Sequence, residues 1–279
     1  MMAVASGLLA VATLVTPTAT ADEGRSRATA SQLAVADAAI LEADIAGTAW
    51  YTDATTGKVV VTVDGRVGAA EVTALKRAVK APVGALEINR TSGTFTKLIA
   101  GGEAITASGI RCSLGFNVQS SGGTKYALTA GHCTNLGRNW NIGTTVATSF
   151  PNNDYGLIQH SNPAAADGRV SLHNGTYQDI TTAGSVVVGQ PVCQSGSTTG
   201  VHCGTVTALN VTINYGADTV SGLGRTNSCS EPGDSGGSVF QGSTAVGIIS
   251  GGSGNCTSGG ITFYQPILEA LNAYGLSVF

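Results

Sequence analysis

A serine in a glycine-rich turn, Gly233-Asp234-Ser235-Gly236-Gly237, has the surroundings that a nucleophilic hydroxyl requires. A serine hydroxyl is a poor nucleophile unless a base accepts its proton and fixed donors receive the developing oxyanion. The glycines leave the hydroxyl accessible and let the backbone bend until two N–H groups point at one spot. The turn therefore predicts a histidine and a carboxylate elsewhere in the chain, whereas an ordinary surface turn would need neither.

Two other segments supply those groups. Residues 128–133, LTAGHC, place His132 at the end of an apolar run, and residues 152–158, NNDYGLI, place Asp154 just before a short one. The chain order His, Asp, Ser is that of the chymotrypsin arrangement and differs from the orders in subtilisin and the α/β-hydrolases. His132 is predicted to act as general base and then general acid, Asp154 to hold its ring in the working tautomer, and Ser235 to attack the carbonyl carbon.

Composition divides the chain near residue 98. Of the 14 Lys and Arg residues, nine fall between Arg25 and Lys97, whereas all six cysteines and 31 of the 39 glycines follow residue 99. Such a break indicates two parts with different roles. The formal net charge of -3 provides no basic surface, so nucleic acid is not an expected partner.

The first 21 residues have the pattern of an export signal. Residues 3–15 are apolar and small, and Ala19-Thr20-Ala21 is the small-x-small pattern after which a signal peptidase cuts. The run is too short for a permanent anchor. Because no Lys or Arg precedes it, we expect a start upstream of Met1 or a truncated reading of the gene. The sequence predicts a secreted, extracellular protein without membrane contact once residues 1–21 are removed.

Residues 22–98 are predicted to form a small α+β unit without cysteine. Apolar residues recur at helical spacing from about residue 31, a hairpin turns at Thr56-Gly57, a second helix covers 69–80, and a strand covers 85–89. An independent accessory domain and a removable pro-segment are both consistent with this pattern.

Residues 99–279 have the pattern of an all-β body that ends in a helix near 266–274. Short strands are separated by Gly, Ser, Asn and Thr, which predicts an antiparallel barrel or sandwich with room for two modest cores. Predicted strands include residues 114–119, 126–129, 186–192, 205–211 and 245–249.

Six cysteines in an exported chain predict three disulfides, although fifteen pairings are open. Three pairings would brace the loop with the histidine, close a small hairpin and brace the loop before the serine; they are Cys112–Cys133, Cys193–Cys203 and Cys229–Cys256. Zinc is the competing use, but there is no CxxC pair and no histidine cluster. We therefore expect no metal and no organic cofactor. The histidines outside the catalytic motif are expected to be solvated or to fill the core; they are His160, His173 and His202.

These motifs, with IAGGEAI at residues 99–105 and CSEPGDSGG at residues 229–237, resemble the bacterial chymotrypsin-like serine proteases. That group includes the streptogrisins and α-lytic protease, and the resemblance covers nearly the whole chain. It implies two six-stranded β-barrels, residues 99–175 and 176–279, with the active site between them. It also implies a mature enzyme that starts at Ile99, after cleavage behind Leu98, and a pro-segment (22–98) that assists folding and inhibits the enzyme until it is removed.

The resemblance assigns further site residues. Gly233 and Ser235 would supply the oxyanion-hole N–H groups. Ser250 would lie near Asp154 and, with its two following glycines, form an edge that pairs with extended substrate. The pocket for the residue before the scissile bond would be walled by residues 260–264 together with Glu231, Pro232, Ile249, Ser250, Gly251 and Gly252. Since no counter-charge marks its base, a large apolar residue (Phe, Tyr or Leu) is expected to fit.

The chain departs from the streptogrisin pattern at several positions. Cys193 and Cys203 appear where the streptogrisin pattern has no cysteines, whereas α-lytic protease has a comparable pair. Gln194 stands where an arginine is expected to pair with Asp234, and an unpaired buried carboxylate is costly. We therefore expect Asp234 to find hydrogen-bond donors, to be less buried or to meet another cation. Ile249 replaces a smaller polar residue and makes the pocket more apolar.

The sequence thus predicts a monomeric, secreted serine endopeptidase precursor that cleaves protein or peptide substrates through an acyl-enzyme at Ser235. One alternative is glutamyl preference, which would need a polarised pocket with a histidine in place of Ile249. A second alternative is a non-catalytic binder of the protease fold, or a chain whose pro-segment chiefly inhibits other proteases.

Overall fold

The computed structural model describes residues 27–79 and 84–279, so the predicted export signal lies outside the described residues. The chain forms two compact units, one ending at Phe95 and one spanning Thr96–Phe279. Within the described ranges, no helix is long and apolar enough to cross a membrane.

The first unit combines two helices with a three-stranded sheet. Its elements are α1 (Ala30–Ala43), β1 (Thr48–Asp53), β2 (Lys58–Val63), α2 (Ala69–Ala78) and β3 (Leu86–Arg90). β1 pairs antiparallel with β2, and β2 pairs parallel with β3 across the α2 connection. This order of helix, hairpin, helix and strand matches the prediction from the sequence.

Local signals and burial together explain these elements. α1 begins at a capping box, in which the Thr29 hydroxyl accepts from the Gln32 backbone and the Gln32 side chain accepts from the Thr29 N–H. Val59, Val61 and Val63 alternate along β2 and are fully buried in a core shared with both helices. Their packing holds the sheet against the helices.

An ion pair between a half-exposed arginine and a buried carboxylate fixes the end of the first unit. The Asp64 carboxylate is fully buried and accepts hydrogen bonds from the Arg66 guanidinium at 2.6 Å and from the Phe95 N–H at 2.8 Å. Arg66 also donates to the Phe95 carbonyl at 3.1 Å. The hydrogen bond from Arg66 lowers the pKa of Asp64 to about 2, so this carboxylate stays charged near neutral pH.

The second unit is built almost entirely from short strands. Its elements are β4 (Ile99–Gly101), β5 (Ala104–Ala107), β6 (Ile110–Ser113), β7 (Phe116–Ser120), β8 (Lys125–Thr129), α3 (Gly131–Leu136), β9 (Asn139–Trp140), β10 (Gly143–Ser149), β11 (Tyr155–His160), β12 (Ala166–Ser171), β13 (Tyr177–Asp179), β14 (Thr182–Ala183), β15 (Pro191–Gly196), β16 (Gly200–Asn214), β17 (Thr219–Thr226), β18 (Ser238–Gln241), β19 (Thr244–Asn255), β20 (Gly259–Pro266), α4 (Ile267–Tyr274) and β21 (Leu276–Val278). The predicted all-β body with a C-terminal helix is confirmed.

The later strands of this unit close into a six-stranded antiparallel barrel. The ring runs β18-β15-β16-β17-β20-β19 and returns to β18, while β14 joins β19 in parallel. Valines, Ile249 and Tyr264 fill the interior of the barrel. We call this ring the second barrel.

The earlier strands form three sheets, which we call the first barrel. Six strands follow the order β21-β7-β8-β11-β10-β9, three follow β13-β12-β4, and β5 pairs with β6. The last strand, β21, therefore pairs with β7 of the first barrel although it follows the second barrel in the chain. The division into residues 99–175 and 176–279 stays a prediction, and β21 crosses it.

One predicted strand is wrong over most of its length. Residues 186–192 were expected to form a strand, but β15 begins only at Pro191. Val187 and Val188 are exposed, and Gly189 has a φ of 93°, which extended strands do not use. The apolar run is a connection between β14 and β15.

Candidate active site

His132 and Asp154 meet although they come from different elements. His132 lies in the first turn of α3, and Asp154 immediately precedes β11. The His132 Nδ1 lies 2.9 Å and 3.1 Å from the two Asp154 carboxylate oxygens, and the His132 backbone N–H donates to Oδ1 at 2.8 Å. The carboxylate therefore holds both the ring and the backbone of the histidine.

Side chains from the second barrel fix the Asp154 carboxylate from its other side. The Ser250 hydroxyl donates to Asp154 Oδ2 at 2.6 Å, and the Gln265 side-chain oxygen accepts from the Asp154 N–H at 2.9 Å. Asp154 is almost fully buried, whereas the His132 side chain keeps 28% of its surface exposed. This arrangement leaves the far ring nitrogen of His132 free to face a reacting group.

Ser235 lies in a turn whose backbone is held from both barrels. Ser113, at the end of β6, donates its N–H to the Ser235 carbonyl at 2.8 Å, and the Gly236 N–H donates to the Ile249 carbonyl at 2.7 Å. Gly233 and Gly236 have φ values of 100° and 85°, a region that glycine adopts without strain. The positive φ angles at these two positions therefore explain why the turn contains glycines there.

Two backbone N–H groups of this turn have no acceptor within residues 27–79 and 84–279. The N–H groups of residues 234, 236 and 237 all donate to carbonyls, whereas those of Gly233 and Ser235 do not. They are the two donors predicted for the oxyanion hole. In the same described ranges the His132 ring bonds only to Asp154 and not to the Ser235 hydroxyl, a contact that often tightens only when substrate binds.

Asp234 has hydrogen-bond partners although position 194 is a glutamine and not the expected arginine. Asp234 is fully buried, and it is satisfied by neutral donors: the Thr198 N–H (2.9 Å), the Thr199 N–H (3.1 Å), the Thr199 hydroxyl (2.7 Å) and the Glu231 N–H (2.9 Å). Of the three expectations, hydrogen-bond donors are the one observed. A buried carboxylate with several such donors does not need a cation.

Gln194 has a different set of partners. Its side-chain nitrogen donates to the Cys229 carbonyl, and its side-chain oxygen accepts from the Ser228 hydroxyl at 2.9 Å. Gln194 is buried, and both of its polar ends are satisfied. The glutamine therefore joins β15 to the segment that precedes the serine turn.

Ser235 opens into a cavity of about 460 Å³. Five of the predicted pocket residues line it, namely Glu231, Pro232, Ile249, Gly251 and Gly252. Tyr215, Ser230 and Gly254 also line it and were not predicted. Tyr215 follows β16 directly, and the sequence contains no signal that this turn reaches the serine, because its placement depends on the length and twist of the β16–β17 hairpin.

Ser250, predicted as a pocket residue, instead lines an adjoining cavity of about 230 Å³ with His132, Phe150, Asp154 and Tyr215. Its side chain turns toward Asp154 at an irregularity of β19, where the pairing with β20 passes from Ile249 directly to Gly251. Burial, with a smaller contribution from the Asp154 charge, raises the pKa of Tyr215, so its phenol stays protonated beside the carboxylate. Tyr215 lines both cavities.

All three considered disulfides are present, and they connect the site to its supports. Cys112–Cys133 links the end of β6 to α3, Cys193–Cys203 links β15 to β16, and Cys229–Cys256 links the segment before the serine turn to the end of β19. The groups of residues in the described structure that bring histidine and cysteine sulfur together contain these oxidised cysteines. A disulfide sulfur is not the thiolate that binds zinc.

The other histidines contact neutral groups. His160 is buried, its Nε2 lies 2.7 Å from the Asn117 side-chain oxygen, and burial lowers its pKa to about 4. His173 contacts the Ser195 hydroxyl at 3.1 Å, and His202 contacts the Thr199 carbonyl at 3.1 Å. None of the three lines the cavity next to Ser235.

Comparison with known proteins identifies the family. The trypsin family matches residues 99–273, and the family described as alpha-lytic protease prodomain matches residues 14–83. The chain therefore belongs to the trypsin family. It is a serine endopeptidase of the chymotrypsin fold that carries a prodomain.

Several relatives are similar over long stretches. Streptogrisin-A of Streptomyces griseus is 62% identical over 280 residues, which cover 100% of this chain and 94% of that protein. A solved glutamic acid-specific serine protease that uses a histidine triad in substrate binding is 48% identical with a TM-score of 0.63, over 65% of this chain and 100% of its own. Cellulomonas bogoriensis chymotrypsin is 44% identical with a TM-score of 0.59, over 65% of this chain and 98% of its own.

Proposed function

We propose that this protein is a secreted endopeptidase that cleaves peptide bonds after large apolar residues, through an acyl-enzyme at Ser235. The observation that carries the proposal is the cavity beside Ser235, which is lined by Ile249 and several glycines. Glycines leave volume, and Ile249, although almost fully buried, is an aliphatic residue of the cavity wall. Burial of an apolar side chain there would bring the carbonyl that follows it to the serine hydroxyl.

In the proposed mechanism His132 accepts the proton of Ser235 while the hydroxyl oxygen bonds to the substrate carbonyl carbon. The carbonyl oxygen becomes an oxyanion and accepts hydrogen bonds from the N–H groups of Gly233 and Ser235. Protonated His132 then donates to the departing amine, which leaves an ester at Ser235. Water deprotonated by His132 hydrolyses this ester, while Asp154 stabilises the imidazolium in both halves of the reaction.

Glutamyl preference is the competing proposal because one similar solved structure has that specificity. The relative is described as using a histidine triad to bind substrate. In this chain the pocket position in question is Ile249, and the described histidines lie outside the cavity next to Ser235. The one acid that lines the cavity, Glu231, accepts the Cys256 N–H at 3.0 Å, so one of its oxygens is already engaged. Both observations support an apolar preference.

The prodomain supports a further part of the proposal, which concerns maturation. Residues 22–98 would assist folding, occupy the enzyme as an inhibitor and be released by cleavage between Leu98 and Ile99. Leu98 is an apolar residue that suits the proposed pocket, and its side chain is 55% exposed. Secretion is proposed from the export pattern in residues 1–21, after which no membrane attachment is expected and the enzyme would act as a monomer.

A peptide library tests the proposed specificity. The secreted, processed protein is incubated with peptides that vary at the residue before the cut, and Ser235→Ala is the control for contaminating proteases. We expect cleavage after Phe, Tyr and Leu that disappears in the control. Cleavage after Glu or Arg would contradict the pocket argument, and equal cleavage by the control would contradict the role of Ser235.

Refolding tests the proposed role of the pro-segment. Processed enzyme is denatured and then diluted with or without residues 22–98 added as a separate chain. We expect activity to return only with the added pro-segment, and an excess of the same segment to inhibit native enzyme. Rapid recovery of residues 99–279 alone would contradict the folding role.

A further inference from the structure

The residues between β15 and β16 form a turn, Ser197-Thr198-Thr199, that lies between the first barrel and the serine turn. The Ser197 N–H donates to the Ser113 hydroxyl at 2.9 Å, and the Arg111 guanidinium donates to the Ser197 carbonyl at 2.6 Å. On the other side, the N–H groups of Thr198 and Thr199 donate to Asp234. The turn is thus fixed from both sides.

Hydroxyl groups contact the peptide groups on both sides of Gly233. The Thr198 hydroxyl donates to the Pro232 carbonyl at 3.0 Å, and the Ser113 hydroxyl donates to the Gly233 carbonyl at 2.8 Å. Ser113 is fully buried. The Ser197 hydroxyl also reaches the Gly233 carbonyl, at 3.3 Å.

The direction of the Gly233 N–H follows from these contacts. In a trans peptide group the carbonyl and the N–H point in opposite directions. The hydrogen bond from Thr198 to the Pro232 carbonyl therefore sets where the Gly233 N–H points. The next peptide group is held at its carbonyl by Ser113 and at the Asp234 N–H by the Glu231 carbonyl at 3.0 Å.

Gly233 needs this restraint more than another residue would. Its φ of 100° lies in the region that only glycine occupies freely, and glycine backbone rotates with little steric resistance. A Cβ at this position would lie 2.3 Å from the Thr198 hydroxyl, so no side chain can take over the restraint. Rotation of the peptide group before Gly233 would replace the N–H by a carbonyl oxygen, which repels an oxyanion.

We propose that Thr198 and Ser113 are positioning residues that aim the Gly233 N–H at the oxyanion formed during peptide hydrolysis. Neither hydroxyl touches the reacting atoms. Ser113 acts from the first barrel and Thr198 from the β15–β16 turn, so the oxyanion hole is assembled where the two barrels meet. This inference rests on the proposed oxyanion role of Gly233 and Ser235.

Paired variants test the inference in processed enzyme made from the full chain, with wild-type enzyme added to complete the cut where necessary. Thr198→Val removes the hydroxyl and keeps the shape, Thr198→Ser keeps the hydroxyl, and Ser113→Ala removes the inner contact. We expect Thr198→Val and Ser113→Ala each to lower kcat about 10- to 100-fold, while KM changes by no more than about threefold. The loss of a whole oxyanion donor lowers kcat by about 100-fold or more, so these effects should not exceed the low end of that range. Thr198→Ser should recover most of the rate.

A spectroscopic readout separates aiming from general support. A peptidyl trifluoromethyl ketone forms a bond from the Ser235 oxygen to its carbonyl carbon, His132 takes the serine proton, and the ketone oxygen becomes the oxyanion. NMR titration of this adduct measures how readily the oxyanion forms. We expect its ionisation constant to fall about 10-fold in Thr198→Val and Ser113→Ala, less than the roughly 100-fold or larger effect of losing a whole donor. Thr207→Val, on the exposed side of β16, is the matched control and should leave it unchanged.

The outcomes are distinguishable. An unchanged ionisation constant in the variants, with any loss of kcat following a lower melting temperature, would overturn the positioning role. If the wild-type adduct itself shows no stabilised oxyanion, the proposed oxyanion hole fails and the inference fails with it. If Ser113→Ala does not fold, the surface pair Thr198→Val and Thr198→Ser decides the question alone.

Discussion

Two buried carboxylates of the second unit, Asp154 and Asp234, are satisfied in opposite ways. Asp154 contacts an ionisable partner, the ring of His132, together with Ser250 and a backbone N–H. Among the residues that the structure describes, Asp234 contacts neutral groups alone: three backbone N–H donors and one hydroxyl. A partner that can gain and lose a proton suits a step in catalysis, whereas neutral donors suit a fixed structural role. The difference suits Asp154 to the proposed catalytic step and Asp234 to a structural role in the same site.

The largest expected effect concerns Asp154. Asp154→Asn would place an amide N–H against His132 Nδ1, so the ring would carry its proton on the nitrogen that accepts from Ser235 in the proposed mechanism. We expect kcat to fall about 10⁴-fold, as for this change in the serine-protease triad, with little change in the free energy of unfolding. Steady-state kinetics and chemical denaturation measure the two quantities. Asp179→Asn, an exposed acid on β13, is the control; an active Asp154→Asn enzyme would remove the basis of the comparison.

Asp234→Asn should show the opposite profile. An Asn side chain has one acceptor oxygen where Asp234 has two, so a donor such as the Glu231 N–H would face an amide N–H. We expect the free energy of unfolding to fall by about 2–3 kcal/mol, the cost of leaving a buried polar group unsatisfied. Denaturant titration at neutral pH tests this. A variant as stable as the wild type would show that the neutral donors contribute little.

The histidines show the same contrast between charged and neutral partners. His132 contacts the Asp154 carboxylate, whereas His160 is buried against the neutral side-chain oxygen of Asn117. The folded-state pKa of about 4 for His160 lies below the ordinary value of 6.5, so the unfolded chain binds the proton more readily. The stability of the wild type should therefore fall as the pH drops from 6.5 to about 4 and level off below that. We expect His160→Gln to reduce this acid-induced loss by about 2 kcal/mol. Parallel pH profiles of the two proteins would contradict the expectation.

The smallest effects concern Gln194. Gln194→Leu would leave the Ser228 hydroxyl and the Cys229 carbonyl without their partner, at a cost of about 1–2 kcal/mol. Gln194→Arg tests whether a cation near Asp234 would raise the stability of the protein. Because Asp234 is already satisfied, we expect the arginine to bring no gain in melting temperature. A clear rise would mean that an ion pair outperforms the neutral donors and would weaken the contrast with Asp154.

Sequence reasoning correctly predicted the family and the fold class, which depend on local motifs. The turn around Ser235 and the segment around His132 are recognisable because glycines and neighbouring residues are required for local backbone geometry. The fold class was predictable from short strands with turn residues between them. These features depend on residues that are close together in the chain.

The missed features depend on residues that are far apart. Tyr215 and Phe150 line the cavities because of strand lengths and register, which a single sequence does not encode in a short pattern. Two of the three residues that donate to Asp234, Thr198 and Thr199, lie about 35 residues earlier in the chain, on a turn of common polar residues. The absence of an arginine at position 194 showed that Asp234 needs other partners, but the sequence did not indicate which residues donate to it.

The pairing of β21 with β7 has a consequence for the order of synthesis. Strand β7 contains residues 116–120, whereas β21 contains residues 276–278. The edge of the first barrel therefore stays open on the ribosome until the whole second barrel has been translated. Contacts so distant in sequence also slow folding, because a long loop must close before they form. The enzyme cannot complete its earlier half while the later half is still being made.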